Sequence, residues 1–171
     1  MQIFSRRIFL IVCLLLTGCG YHLSATSGLP PAVAGKNLAI SIFTNKSYRA
    51  NVGATLTESL VDEFARRSGG KVVSEESADL VLNGTVLTYA TSPVSYSADD
   101  KVREYRAVMT VESTLIERNT RTVIWKGVLS WGQDYPANSD VGLQQNREEA
   151  AISEICHKVA QQVYQKISEG F

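Results

Sequence analysis

From Arg103 to Glu117 the chain alternates with a period of two. Tyr105, Ala107, Met109, Val111, Ser113 and Leu115 fall on one side, Arg106, Val108, Thr110, Glu112, Thr114 and Ile116 on the other. That pattern fits a long β-strand with one mostly apolar face, and it fits no helix. Thr122 to Trp131 repeats the alternation through Val123, Trp125, Leu129 and Trp131 around Gly127, with Arg118-Asn119-Thr120-Arg121 as the turn. The pair reads as an antiparallel hairpin whose apolar side must be covered.

Two other stretches supply the cover. Val52 to Arg67 repeats Val52, Leu56, Leu60 and Phe64 every four residues, widened by Val61, with Asn51 as N-cap and Gly69-Gly70 as the stop. Leu143 to Ser168 repeats Ile152, Ile155, Cys156, Val159, Val163 and Ile167 at helical spacing. Further strands are expected at Leu38 to Phe43, with Leu38, Ile40 and Ile42 on one face, and at Ala78 to Tyr89, with Leu80, Leu82, Gly84 and Val86. Thr44 to Ser47 breaks the first; Thr91 to Asp100 and Asp134 to Gly142 read as polar loops. The expected architecture is α+β: a two-layer sandwich in the order β-α-β-β-β-α. A mainly antiparallel three- or four-stranded sheet is covered on one face by two helices. On the uncovered face Val108, Ile116 and Ile124 share the alternation of the charged residues. They are either a partner contact or scattered surface hydrophobes.

The N-terminus has its own logic. Arg6 and Arg7 precede the apolar run Ile8 to Leu16, which is too short to span a bilayer comfortably. The run ends in Leu16-Thr17-Gly18-Cys19, which resembles a bacterial lipobox; a simple signal peptide with a chance cysteine is the alternative. The expected organisation is a lipoprotein signal at residues 1–18, a lipidated N-terminus and tether at 19–35, and one domain at 36–171. Gly20 stands where an aspartate would retain such a protein at the inner membrane, so the outer membrane is expected, with the domain lipid-anchored on the periplasmic side. Two or more acyl chains on Cys19 would hold the chain firmly, at about 0.8 kcal/mol per buried methylene.

Little in the remainder points to catalysis. His157 beside Cys156 has no further ligand at motif spacing, and Cys156 reads as a small buried hydrophobe. The serines lack a nucleophile elbow, and phosphate and dinucleotide loops are missing. Glu75-Glu76, Asp99-Asp100 and Glu148-Glu149 read as solvated carboxylates, the last pair at a helix start. No cofactor and no metal are expected. The whole chain balances 17 basic against 17 acidic residues, and loss of Arg6 and Arg7 would leave it slightly acidic, which disfavours nucleic acid as a partner.

The chain resembles the LptE (RlpB) family of lipopolysaccharide-assembly lipoproteins. The resemblance rests on Cys19-Gly20-Tyr21-His22-Leu23, Ile42-Phe43-Thr44-Asn45-Lys46-Ser47, Leu56-Thr57-Glu58-Ser59-Leu60 and Leu82-Asn83-Gly84. The sharpest match is Glu104-Tyr105-Arg106-Ala107-Val108-Met109-Thr110-Val111. It implies a non-enzymatic outer-membrane lipoprotein that associates with the LptD β-barrel, supports barrel assembly and helps deliver lipopolysaccharide to the cell surface. Family positions tied to lipopolysaccharide fall near Ala98 and Gln145, neither of them basic here. Lys101, Arg103 and Arg147 are the neighbouring candidates, with Lys126 and Arg106 behind them. The competing reading is a structural accessory or pilotin-like lipoprotein of another envelope complex, without lipopolysaccharide binding.

Overall fold

The computed structural model describes residues 33–67 and 72–169. The signal-like segment, Cys19, the tether up to residue 32 and the Gly69-Gly70 stop lie outside them. Strands β1 (Leu38–Ile40) and β2 (Thr44–Asn45) precede helix α1 (Val52–Arg67). A 3-10 turn (Glu75–Ser77), strands β3 (Leu80–Tyr96), β4 (Val102–Glu117) and β5 (Val123–Pro136), and helix α2 (Val141–Ser168) complete the order. The five-stranded sheet runs β1-β3-β4-β5, with β2 also pairing β3. β1 and β2 are parallel to β3, whereas β3, β4 and β5 are antiparallel neighbours. The mixed sheet under two helices is the expected two-layer sandwich, and the parallel pairing follows from the crossover through α1.

The core forms where the alternations meet the helical stripes. Leu80, Leu82, Val86, Ala107, Met109, Val111 and Leu115 face Leu56, Leu60, Phe64, Ile155, Val159, Val163 and Ile167, and all are buried. Leu38 opens β1, but Ile42 stands 79% exposed while Phe43 is 2% exposed. The cause is local. β1 ends at Ile40 and the chain kinks before β2 resumes pairing, so the period of two does not carry through, and Thr44 and Asn45 are strand rather than breaker. Phe43 then lies against Gly84, and its carbonyl lies where a side chain at Gly53 would project. Gly53 is therefore a close-packing position between α1 and this kink. Asn51 enters α1 in the left-handed region (φ 64°), its carbonyl accepting from the Thr55 N–H.

Register shifts account for the other departures. In β3 the ladder slips between Val86 and Thr88, which moves the inward set from Val86 to Tyr89 and lets the strand continue to Tyr96 through the expected loop. In β5 it slips opposite Leu115–Ile116, so that Val123 is 55% exposed and Ile124 packs on the core. β5 also runs on to Pro136 and α2 starts at Val141, which leaves only a short connection. On the uncovered face Ile116 packs with Ala39, Ala78 and Val81 in a second small cluster. Of the three apolar residues expected there, Val108 alone stays on the polar part of the sheet.

Burial of the Glu63 carboxylate was not legible beforehand, whereas burial of Cys156 is what its helical spacing indicates. Glu63 is 1% exposed, its carboxylate held by Arg67 Nε at 2.6 Å and Arg66 Nη2 at 3.0 Å. Arg67 in turn lies over the Tyr164 ring, which compensates an otherwise costly burial. Cys156 is fully buried, and desolvation pushes its thiol up to about 12. Thiolate is the reactive form, so native protein at pH 8 should leave Cys156 unalkylated while denatured protein labels fully. Peptide mass spectrometry after iodoacetamide treatment checks this, and rapid labelling of the native chain would contradict it.

Candidate binding surface at the hairpin tip

Lys101, Arg103, Arg106 and Arg147 gather where β3, β4 and β5 run past the ends of the helices, whereas Lys126, opposite Thr114, lies well down the sheet. β3 and β4 close on Ser97–Lys101, where the Ser97 N–H donates to the Lys101 carbonyl at 2.8 Å and the Asp100 N–H to the Ser97 carbonyl at 3.1 Å. Asp100 takes the left-handed conformation (φ 57°), which an aspartate tolerates better than most residues. Register shifts between Pro93 and Ser95 and between Ser95 and Tyr96 twist the tip and leave Arg103 without an opposite residue in β3. Val94 and Tyr96 are exposed here, 42% and 56%. The polar connection expected at Thr91 to Asp100 is thus a strand end that presents apolar side chains.

Lys101 and Arg103 are both exposed. Among the described residues, neither charged end has a hydrogen-bond or ion-pair partner. Arg147 is different. Its Nη1 donates to the Ala137 carbonyl at 2.9 Å and to the Pro136 carbonyl at 3.4 Å, while the Ala137 N–H donates to the Arg103 carbonyl at 2.8 Å. Arg147 therefore straps the β5–α2 connection down beside Arg103, using part of its five-donor fork. Arg106 and Lys126 are engaged more fully. Arg106 makes a bidentate pair with Asp134 at 2.6 and 2.7 Å, which holds the Asp134 carboxyl below the usual range, and Lys126 pairs with Glu112 at 2.9 Å.

The start of α2 is fixed from both sides. Asp140 caps it, accepting from the Leu143 N–H at 2.9 Å, and Gln144 Oε1 accepts from the Asn138 N–H at 2.7 Å. Val141 and Leu143 project outward, 73% and 52% exposed. Beneath, Tyr89 donates its hydroxyl to Glu148 at 2.9 Å, Tyr48 packs on Tyr89, and Tyr105 stacks on Tyr135 at 5.8 Å. Burial, then the Glu148 contact, raises the Tyr89 pKa, so the tyrosine stays the donor. Glu148 is thus an anchor for α2 rather than a solvated charge, and its hydroxyl partner 59 positions away carried no signal in the sequence. The tip holds exposed cations next to exposed apolar and aromatic groups, a combination suited to an amphiphile with anionic head groups. Among the described residues there is no group of three His, Cys, Asp or Glu able to hold a metal, and no helix long and apolar enough to cross a membrane.

Comparisons with known proteins bear on the family and the fold. The family model LptE, lipopolysaccharide-assembly, matches residues 35–167. No curated protein matches the chain. Among solved structures, the rare lipoprotein B from Shewanella oneidensis is similar with a TM-score of 0.55 at 18% identity, covering 78% of this chain and 94% of that one. The lipoprotein B from Nitrosomonas europaea gives a TM-score of 0.57 at 17% identity, over 83% of this chain and 85% of that one. A lipoprotein from Caulobacter crescentus gives 0.54 at 13% identity, over 77% and 88%. At such identities these structures establish the shared fold.

Proposed function

We propose that this chain, which belongs to the LptE lipopolysaccharide-assembly family, binds lipopolysaccharide through its hairpin tip and does so beside an LptD-like outer-membrane β-barrel. Family membership places it among the outer-membrane assembly lipoproteins, which are not catalysts. In this reading residues 1–18 direct export, Cys19 carries the acyl chains, and residues 19–35 tether one domain on the periplasmic side. Tethering raises the local concentration of the domain near a barrel in the same membrane. The compact sandwich, polar on its open sheet face, then supports the barrel and delivers lipopolysaccharide to the surface.

The observation that carries the ligand reading is the unpaired Lys101–Arg103 pair beside exposed Val94 and Tyr96. Phosphates of an anionic lipid head suit the cations, and acyl chains suit the apolar pair. Arg147 contributes chiefly by holding the connection that backs Arg103. Lys101→Glu combined with Arg103→Glu is expected to weaken capture of purified lipopolysaccharide about tenfold or more, with an unchanged circular-dichroism spectrum. Unchanged capture would remove the tip as the site. Mild detergent extraction tests the partner: recovery of a secretin-type complex and no barrel of the LptD kind would overturn that half.

A further inference from the structure

β5 is the free long edge of the sheet, 14 residues that pair with β4 on one side and with nothing described on the other. The opposite edge is short and in part closed by the bridge between Leu38 and Val72. An edge of this length offers a row of backbone donors and acceptors.

Which groups point outward can be read from the ladder. The Ala137 N–H donates to the Arg103 carbonyl, in step with the Glu104–Pro136 register. Alternate residues of an antiparallel strand turn both backbone groups to one neighbour, then both away. From Trp125 to Tyr135 the odd-numbered positions of β5 therefore bond to β4, and Lys126, Val128, Ser130, Gly132 and Asp134 direct their backbone outward. Pro136, which has no N–H to offer, falls at an outward position, as edge prolines do.

The side chains at those outward positions are self-complementary about Ser130. In an antiparallel pairing of two β5 strands centred there, Ser130 meets Ser130, Val128 meets Gly132, and Lys126 meets Asp134. All five are hydrogen-bonded pairs in that register, giving about ten backbone bonds across the junction. Lys126 and Asp134 lie on the same uncovered face, so each would bridge between its own partner, Glu112 or Arg106, and the opposite charge of the second copy. Val128, now 58% exposed, would cover the bare Gly132 position. On the helix side half-buried Leu129 would meet Trp131, whose indole N–H has no hydrogen-bond partner among the described residues. A shift of two residues loses both charge pairs, so the register is specified.

We propose that β5 pairs antiparallel with the β5 of a second copy of this chain about Ser130, which joins two sheets into one with the helices on the same side. This does not rest on the lipopolysaccharide reading. The association is isologous, as a twofold dimer requires.

Sedimentation equilibrium of the full chain in detergent micelles over the micromolar range tests it. Wild type is expected to dimerise. Val128→Pro deletes an outward N–H without touching the β4 ladder, and should weaken the dimer about tenfold or more while retaining the circular-dichroism spectrum. Lys126→Asp and Asp134→Lys should each weaken it similarly, and the double exchange should restore it, since opposite charges face each other again. The restored double decides the matter even if the proline variant does not fold. A monomer throughout the range, or a double exchange no tighter than the single ones, would overturn the proposal.

Discussion

Gly84→Ala is expected to destabilise the domain by about 3 kcal/mol or more, a large share of the stability of an ordinary single domain. A Cβ at Gly84 would run into the Glu112 carbonyl oxygen and the Phe43 ring. The first is backbone of the neighbouring strand and cannot turn aside; the second is a fully packed aromatic side chain. Gly84 and Gly127 flank Ser113 in β3-β4-β5 register, so one row of the sheet is made of very small residues. Phe43 occupies the space over one end, and the Trp125 indole lies 2.6 Å from a Cβ built on the other. The row is a bed for two rings, and a methyl group at Gly84 lifts one of them. Gly132→Ala is the control: its nearest neighbour is the end of the Val108 side chain at 3.3 Å, which can rotate, so the cost should stay below about 1 kcal/mol. Urea midpoints at unchanged slope measure both. Equal midpoints for Gly84→Ala and wild type would contradict the packing account.

Cys19→Ala is expected to abolish palmitate labelling and remove the chain from the outer-membrane fraction. In the proposed reading attachment rests on acyl chains at Cys19, each buried methylene contributing about 0.8 kcal/mol, and no helix among the described residues is long and apolar enough to cross a membrane. The effect is close to all-or-none, because loss of the thiol removes every chain at once. Metabolic labelling followed by fractionation reads it directly. Normal labelling of the variant would exclude Cys19 as the acylated residue.

How far the sequence could be read depended on whether one period ruled an entire element. β4 keeps its alternation from Tyr105 to Leu115, and its inward set is the one anticipated. α1 and α2 likewise bury the stripes that their spacing indicates, from Val52 to Phe64 and from Ile152 to Ile167. Errors fall where a single residue breaks the count. The kink after Ile40 exchanged Ile42 for Phe43, the slip after Val86 carried β3 beyond Tyr89, and the slip opposite Leu115 exchanged Val123 for Ile124. A bulge is a cooperative choice of two strands, so neither strand announces it alone.

The surface followed a different rule. Lys101, Arg103 and Arg147 looked alike as isolated cations, yet Arg147 is committed to two carbonyls, whereas Lys101 and Arg103 are free among the described residues. Hydrogen bonds from side chain to distant backbone depend on where a loop lands, which periodicity does not encode. Glu63 is a different case: Arg66 and Arg67 stand three and four positions along the same helix, so the ion pairs follow from helical spacing, and what that spacing does not give is the burial of the carboxylate.

Because β1 runs parallel to β3, the chain enters the sheet beside Glu117 and the Lys36 contact, at the end opposite Ser97 to Lys101. The 17 residues of β3 separate the two ends by about 55 Å. If the tether proposed at residues 19–35 holds the chain at this foot, the length of the strands sets how far the tip stands from it. Two extra residues in each arm of the hairpin would move its tip by about 7 Å and leave the packed layers where they are.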